Sequence, residues 1–310
     1  MNAIRFTKGH GTENDFVVVP DPDGELDLDA ALVARICDRR AGIGADGLIR
    51  VVRTAALGER VPPDAAGTEW FMDYRNADGS VAEMCGNGVR VLVAYLLRHA
   101  LVPAGALEAG LDVGTRGGRK RVTAAPGGWI AVDMGPWTVP GGARALADGY
   151  DATVHVHGLP VARPALSLDL GNPHSVVALA APEELAAADL TRQPAVEPVP
   201  VYGTNVELVV PLDAEETADG SVGRLRMRVH ERGVGETRSC GTGACAAALA
   251  ARVWAGDGAP ARWLVDVPGG TVGVRVLADG HVELAGPAVL VADGVLDAAW
   301  LAAEEPAAVR

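Results

Sequence analysis

The sequence predicts a mixed α+β fold made of two strand-rich domains, each with a helix packed inside or against its sheet. Short Val-rich segments separated by Gly, Pro and Asp run through the chain, and fewer segments have a helical pattern. Two cysteine motifs, MCGNG at 84–88 and SCGTG at 239–243, lie half a chain apart. Each follows a strand pattern and opens an apolar helical one. A length of 310 residues also fits two domains better than one.

The elements follow from the local patterns. The predicted strands include 16–19, 48–52, 70–74, 129–134, 206–210, 225–230 and 271–276, and the N-terminal residues 1–6 also have a strand pattern. The predicted helices are 29–39, 88–99, 182–188 and 243–255; the third has Pro182 in its first turn. The segments 141–151 and 213–223 are predicted to be surface loops.

The two halves of the chain resemble each other. Aligning Cys85 with Cys240 places residues 70–76 on residues 225–231. A second anchor, Asn14 with Asn172, precedes the cysteine by nearly the same distance in both halves. Two anchors at similar spacing indicate an internal duplication. The boundary is predicted near Met134-Gly135-Pro136.

Composition and charge exclude several classes of function. The net charge is −13, which argues against nucleic acid or an anionic membrane surface as a partner. No apolar run reaches the length of a membrane span, and the N-terminus lacks the apolar stretch of a signal peptide. A cytoplasmic location is therefore expected, with free thiols at the four cysteines. No CxxC or HExxH pattern is present, so no metal site is expected.

The paired cysteines indicate proton transfer at carbon. A helix start offers unpaired backbone N–H groups that can hold a carboxylate, and its partial positive charge is expected to favour the thiolate. One thiol could then remove a proton from one face of a carbon while the other delivers a proton to the opposite face. This is the chemistry of a racemase or epimerase. Each cysteine could instead be a small buried hydrophobic residue, the role expected for Cys37 and Cys245.

At this point a resemblance to a known family is evident. The segments NADGS at 76–80 and CGNGVR at 85–90 resemble the first signature of diaminopimelate epimerases. ERGVGET at 231–237, running into CGTGA at 240–244, resembles the second. Further matches lie at 11–16, 42–47, 171–174 and 267–270, so the resemblance spans nearly the whole chain in the family's order.

The resemblance implies a cofactor-independent epimerase that interconverts LL- and meso-diaminopimelate, in lysine and peptidoglycan precursor synthesis. It also implies two pseudo-symmetric domains, each a β-barrel-like sheet around a central helix, with the active site in the cleft between them. The C-terminal segment is expected to return to the first domain. The domains would then be residues 1–134 with 288–310, and residues 135–287. A homodimer is the expected assembly.

The resemblance also implies roles for individual residues. Cys85 and Cys240 would be the catalytic acid and base, and His174 and Glu231 would lie beside the thiols and tune them. The substrate-binding residues would be Asn14, Asn76, Gly86, Asn87, Asn172, Asn205, Glu231, Arg232, Gly241 and Thr242. Gly86, Asn87, Gly241 and Thr242 would hold the reacting carboxylate, and Arg232 can bind a carboxylate with two parallel N–H bonds. Asp46 is expected to be structural.

The chain departs from the family pattern at two positions, and two alternative functions stay open. Gly47 stands where some family members have Gln, and Ser175 stands where a Cys often follows the NPH triplet. The alternative function is a racemase of the same fold acting on another amino acid, of the histidine or proline type. A proline racemase usually carries His after the first Cys-Gly, where this chain has Asn87. The other class of function is a non-catalytic protein that binds a basic or zwitterionic amino acid.

Overall fold

A computed structural model describes residues 3–217 and 220–302. Within these residues the strands form one continuous system of hydrogen-bonded pairs. The strands are β1 Arg5–Gly11, β2 Asn14–Pro20, β3 Gly47–Arg53, β4 Trp70–Asn76, β5 Leu111–Thr115, β6 Gly118–Ala125, β7 Trp129–Gly135, β8 Ala152–His155, β9 Arg163–Asp169, β10 Pro173–Ala178, β11 Ala195–Glu197, β12 Asn205–Thr217, β13 Gly220–Glu231, β14 Gly235–Thr237, β15 Arg262–Val267, β16 Gly270–Val276, β17 Val282–Gly286 and β18 Val289–Val295. The helices are α1 Ala30–Cys37, α2 Gly86–Arg98, α3 Ala106–Ala109, α4 Gly142–Asp148, α5 Pro182–Ala187, α6 Gly241–Ala255 and α7 Ala298–Ala302.

The predicted strands from 16–19 onward and the four predicted helices are all present, and the mixed α+β class is confirmed. The first strand begins at Arg5 rather than at residue 1, and residues 1 and 2 lie outside the described part of the chain. Helix α1 begins where the sequence predicts, because the Asp29 side chain accepts a hydrogen bond from Leu32 N at 2.7 Å.

Both predicted loops are wrong. The segment 141–151 contains α4, an alanine-rich helix that buries Ala145 and ends at Gly149 in the left-handed conformation. The glycines at the ends of this segment concealed the helical propensity of its alanines. The segment 213–223 forms the outer ends of β12 and β13, a long hairpin whose acidic side chains point to solvent. Ala218 and Asp219 lie outside the described residues.

The order of strand pairings repeats between the halves. In the first half β1–β2 is antiparallel, β2–β3 parallel, β3–β4 antiparallel, β4–β5 parallel, and β5–β6 and β6–β7 antiparallel. The second half repeats these pairings in the same order with β9, β10, β12, β13, β15, β16 and β17. The long helix of each half, α2 or α6, connects the fourth and fifth strands of its series. These pairings support the predicted duplication.

Each long helix is surrounded by the strands of its own half. Helix α2 contacts β1, β2, β3, β4 and β7, and α6 contacts β9, β10, β12, β13, β15 and β16. Most residues of both helices are buried, which explains why the sequence is apolar on nearly every face of them. Strand β17 contacts both helices and pairs with β7, so the sheet is continuous from one half to the other.

The C-terminal part of the chain runs beside the first half. Strand β18 pairs with β1, and Leu296 and Leu301 pack with Ile4 and other residues of the first half. Trp300 also lies under the Arg35 guanidinium at 4.6 Å. Residues 303–310 of this predicted segment lie outside the described residues. The division into two domains at the predicted boundaries stays a prediction.

Candidate active site

A cavity of about 630 Å³ opens where the N-termini of α2 and α6 meet. Every predicted site residue except His174 lines it. The predicted residues on its wall are Asn14, Asn76, Cys85, Gly86, Asn87, Asn172, Asn205, Glu231, Arg232, Cys240, Gly241 and Thr242. His174 lies behind the wall, where it is 1% exposed.

The two helix starts approach each other closely. A Cβ on Gly86 would lie 2.9 Å from Leu284 Cδ2, and a Cβ on Gly241 would lie 2.8 Å from the same atom. The Cβ on Gly241 would also lie 3.3 Å from Asn87 Oδ1, an atom of the opposite helix. A side chain at either position would displace the Leu284 side chain, which β17 brings between the two helices. The glycines after each cysteine therefore allow the two thiol-bearing turns to converge.

Cys85 is the N-cap of α2. Its Sγ donates to Asn14 Oδ1 at 3.5 Å, and Asn87 Nδ2 donates to the same oxygen at 3.2 Å. Burial raises the pKa of the Cys85 thiol to about 11, although the backbone N–H of Gly88 and the charge of Arg90 both oppose this rise. The thiol is thus held between the helix start and the amide of Asn14.

Cys240 is the N-cap of α6 and lies in a more polar setting. Its Sγ accepts from Gly243 N at 3.4 Å and lies 3.5 Å from Thr242 Oγ1. Burial raises the pKa of this thiol well above its usual value, and the carboxylates of Glu231 and Glu207 raise it further. The expectation that the helix field lowers the thiol pKa is therefore wrong, because burial outweighs the helix at both cysteines.

Five asparagine side chains line the cavity: Asn14, Asn76, Asn87, Asn172 and Asn205. Asn172 Nδ2 donates to Thr242 Oγ1 at 3.1 Å. Asn205 Nδ2 donates to Pro173 O at 3.1 Å, and its Oδ1 accepts from the backbone N–H of Arg232 at 2.9 Å. Amides can both donate to and accept from a zwitterion without adding charge.

Two further residues named by the sequence analysis, Asn76 and Asp46, lie at the rim of the cavity and behind its wall. The exposed Asn76 donates to Ser80 Oγ at 3.0 Å, in the turn after β4. Asp46 accepts hydrogen bonds from Asn14 Nδ2 at 2.8 Å and from Asp15 N at 3.1 Å, so it holds the first two residues of β2 in place. Asp46 does not line the cavity, in agreement with a structural role.

The Arg232 side chain lies at the cavity wall without a carboxylate partner among the described residues. Its Nη1 donates to the backbone oxygen of Tyr202 at 2.6 Å. Tyr202 and the nearby Val201 and Val199 are each more than 80% exposed. The guanidinium is therefore available to a carboxylate that enters the cavity.

A buried acid–base pair lies behind Cys240. His174 Nδ1 is 2.7 Å from Glu207 Oε1, and His174 Nε2 is 3.0 Å from Asn172 Oδ1. The two side chains are completely buried. Glu231 stands in front of this pair, its carboxylate hydrogen-bonded to Thr237, and burial raises its pKa. His174 thus acts on the cavity through Asn172 and Glu207 rather than as part of its wall.

The sequence matches one family over most of its length. A family model described as diaminopimelate epimerase matches residues 6–140 and 166–291. The chain belongs to the diaminopimelate epimerase family. The diaminopimelate epimerase of Thermobifida fusca is 54% identical over 94% of this chain and 97% of its own length. That of Streptomyces coelicolor is 50% identical over 96% and 97%. The predicted family and its epimerase class are thereby confirmed.

Solved structures extend the similarity of fold to other enzymes. A Bacillus anthracis phenazine biosynthesis protein of the PhzF family gives a TM-score of 0.63 at 16% identity, covering 96% of this chain and 99% of that chain. An Agrobacterium vitis hydroxyproline epimerase with bound trans-4-hydroxy-L-proline gives a TM-score of 0.56 at 14% identity, covering 95% and 92%. At these identities the likeness concerns the fold alone, and it confirms the predicted α+β architecture.

The sequence reasoning missed several residues of this epimerase-family site. Glu207 was recognisable as a single acid inside the apolar run NVELVV, where only a buried partner could satisfy it. Tyr74 lines the cavity and fills the space beside Gly47, since a Cβ at position 47 would lie 2.6 Å from Tyr74 Cε2. Lys120 and Ser239 also line the cavity; Ser239 directly precedes Cys240 in the second cysteine motif, whereas Lys120 belongs to no motif.

Among the described residues, no group of three or more His, Cys, Asp and Glu side chains could hold a metal ion. In the same residues no helix combines the length and apolar character that crossing a membrane requires.

Proposed function

We propose that this chain interconverts LL- and meso-diaminopimelate without a cofactor, using Cys85 and Cys240 as a pair of acid/base residues. The observation that carries this proposal is that both cysteines N-cap long helices whose starts converge on one cavity. A thiol on each side of a bound Cα can act on opposite faces of that carbon. A single thiol could not invert the centre by this route.

The reaction needs only the transfer of two protons. The thiolate of one cysteine takes the Cα–H proton, and the electron pair of the broken C–H bond is delocalised into the carboxylate. The thiol of the other cysteine then protonates the opposite face of Cα and becomes the thiolate. The backbone N–H groups at the starts of α2 and α6 would stabilise the charge that develops on the carboxylate. The same residues, with their roles exchanged, run the reaction in reverse.

The rest of the cavity suits a second amino-acid end. Asn76, Asn205 and Arg232 lie on its wall together with Glu231, so donors, acceptors and both signs of charge are present. An α-carboxylate would bind Arg232, and an α-ammonium would bind the amide oxygens or Glu231. A substrate with an amino acid at each end would use both groups of residues. This is the argument for diaminopimelate over a racemase substrate of the histidine or proline type.

Solvent deuterium incorporation tests the proposal. Purified protein with reduced thiols would be incubated with LL-diaminopimelate in deuterated water without added cofactor, and Cα exchange would be followed by NMR beside isomer formation. We expect deuterium at one Cα and conversion to the meso isomer. An absence of exchange would contradict the proposed substrate, and histidine and proline would be tested next. Exchange without isomer formation would contradict the two-base mechanism.

We further propose that the enzyme is cytoplasmic and forms a homodimer. Strand β18 pairs only with β1 among the described strands, and it leaves Val289, Val291 and Val295 43%, 60% and 56% exposed. These three valines lie on one face of an edge strand, and an exposed apolar face of this kind is a surface on which a second copy could pack. Light scattering after size-exclusion chromatography would give the mass, and a monomer at micromolar concentration would contradict the dimer.

A further inference from the structure

Lys120 is a charged residue on the buried face of strand β6. Along this strand Lys120 and Val122 are buried, whereas Arg119 and Arg121 point the other way and are exposed. Lys120 is 9% exposed. Lysine is seldom buried to this degree unless its ammonium has a partner, because removing the charge from water costs free energy.

The second half of the chain has an apolar residue at the equivalent position. The β5–β6 and β15–β16 hairpins have the same register, in which the last residue of the first strand pairs with Gly118 in one half and with Gly270 in the other. Two residues after these glycines stand Lys120 and Val272, and Val272 is 0% exposed. The scaffold therefore accepts an apolar side chain here, and packing alone does not explain the lysine.

The ammonium of Lys120 is only partly satisfied by the protein. Its Nζ donates to the backbone oxygen of Met134 at 3.3 Å, and among the described residues no carboxylate is paired with it. Burial lowers the pKa of Lys120, although the charges of Asp133 and Asp64 oppose this lowering. Because an ammonium carries three N–H donors, two are left for a ligand.

The ammonium lies beside the start of α2. Lys120 lines the cavity together with Cys85, Gly86 and Asn87, the first residues of that helix and its N-cap. Met134, whose backbone oxygen accepts from Lys120, also contacts the helix start, since a Cβ on Gly86 would lie 3.0 Å from Met134 Sδ. The lysine charge and the unpaired backbone N–H groups of α2 therefore meet in one part of the cavity, and both attract a carboxylate.

We propose that Lys120 is a further catalytic residue, whose ammonium binds the reacting carboxylate of the substrate beside the N-terminus of α2. The proposal rests on the proposed epimerase function and adds a charged group to its carboxylate site. When a thiolate removes the Cα–H proton, negative charge moves onto this carboxylate, and the ammonium stabilises that charge more than it stabilises the substrate. Lys120 keeps its protons in this role. Arg232 is left for the carboxylate at the other end, so each carboxylate has one cation.

Substitution of Lys120 tests the charge. Lys120→Met keeps the apolar stem, and the buried Val272 of the second half indicates that an apolar side chain fits this position. We expect kcat to fall about a hundredfold and KM to rise less than about tenfold, because the lost interaction is strongest in the transition state. Lys120→Arg keeps the charge and should retain at least about a tenth of wild-type kcat. A folded Lys120→Met protein with wild-type kcat would overturn the proposal.

A second test does not depend on turnover, because Lys8 and Lys120 are the two lysines of the sequence. Protein labelled with ¹³C at the lysine ε carbons would give two NMR signals, which Lys120→Met assigns. Saturating diaminopimelate should shift the Lys120 signal, whereas Lys8, which is paired with Asp15, should move less. The control ligand is 1,5-diaminopentane, the same diamine without carboxylates, and an equal shift with it would assign the effect to a change of shape and overturn the proposal.

Cα deuterium exchange in the same samples separates the two proposals. Exchange with an unmoved Lys120 signal would show that the substrate is bound without contacting Lys120, and would contradict the role of Lys120 alone. An absence of exchange with reduced thiols would contradict the proposed function, and the role of Lys120 would fail with it. Exchange together with a Lys120 shift that is specific to diaminopimelate is the result we expect.

Discussion

The two halves of this epimerase-family chain share one scaffold but place different chemistry on it. The strand registers set Phe16 opposite Gly47 in the first half and His174 opposite Asn205 in the second. Two residues further along, Ile49 in the first half corresponds to Glu207 in the second. The apolar side chains of Phe16 and Ile49 therefore occupy the positions in the first half that the hydrogen-bonded His174 and Glu207 occupy in the second.

The difference extends across the cavity. By the same registers Asn76 corresponds to Glu231. Aligning Cys85 with Cys240 places Arg90 of α2 on Cys245 of α6. The repeated strand pairings bring two helix starts, each with a thiol, to one cavity. The side chains around the two thiols differ: the carboxylates of Glu231 and Glu207 lie near Cys240, whereas Arg90 and Glu231 lie near Cys85. A similar backbone in the two halves therefore carries different charges.

The largest expected effect comes from removing either thiol. Cys85→Ala and Cys240→Ala should each lower kcat/KM at least about a thousandfold, since each loses an acid or base that contacts the reacting carbon. Each variant should still exchange the Cα–H of only one isomer, and the two variants should favour opposite isomers. Cys37→Ala is the control, because Cys37 packs in a separate core cluster. A thiol variant that kept a tenth of wild-type kcat/KM would refute the pairing.

The second largest effect is expected from changing the hydrogen-bonded pair His174 and Glu207 in the second half. Glu207→Ile leaves His174 buried without its carboxylate, and we expect the free energy of unfolding to fall by about 3 kcal/mol. The double change Glu207→Ile with His174→Phe copies Ile49 and Phe16 and should recover most of that loss, because a buried apolar pair needs no partner. Urea unfolding would measure all three proteins. A double variant no more stable than the single one would show that the apolar pair of the first half cannot replace His174 and Glu207 in the second.

The α+β fold and the two paired cysteines could be predicted from the sequence, because glycine, cysteine and strand patterns repeat at similar spacing in the two halves. It could not place His174 behind the wall rather than on it, since that depends on the register between β10 and β12. It could not reveal the burial that raises both thiol pKa values, because burial depends on how α2 and α6 converge. Helix α4 was missed since its flanking glycines outweighed its alanines in the pattern.

Position 47 gives a smaller effect that again contrasts the halves. A Cβ there would lie 2.5 Å from the carbonyl oxygen of Arg75, whereas the equivalent Asn205 has a side chain. Gly47→Ala should therefore lower the free energy of unfolding by about 2 kcal/mol through overpacking. Gly67→Ala is the matched control, because nothing lies within 4 Å of a Cβ at that position. Equal stability of the two variants would mean that β4 shifts to admit the methyl group.

The smallest expected effect concerns Asp15, whose equivalent in the second half is Pro173. Burial would raise the pKa of Asp15, but hydrogen bonds from Arg39 and Lys8 outweigh it and lower the pKa to about 2 from its usual value of 3.8. A lowered carboxyl pKa stabilises the fold fully above pH 3.8, and this contribution is lost as the pH falls toward 2. Because Arg39 is 58% exposed, solvent screening reduces the contribution to about 1 kcal/mol. Asp15→Asn should be less stable than wild type by that amount at pH 7 in urea unfolding, and the difference should vanish near pH 2. A difference in stability that did not change with pH would instead assign the effect to packing. The ion pairs of Asp15 with Arg39 and Lys8 would then stabilise the first half no more than Pro173 stabilises the second.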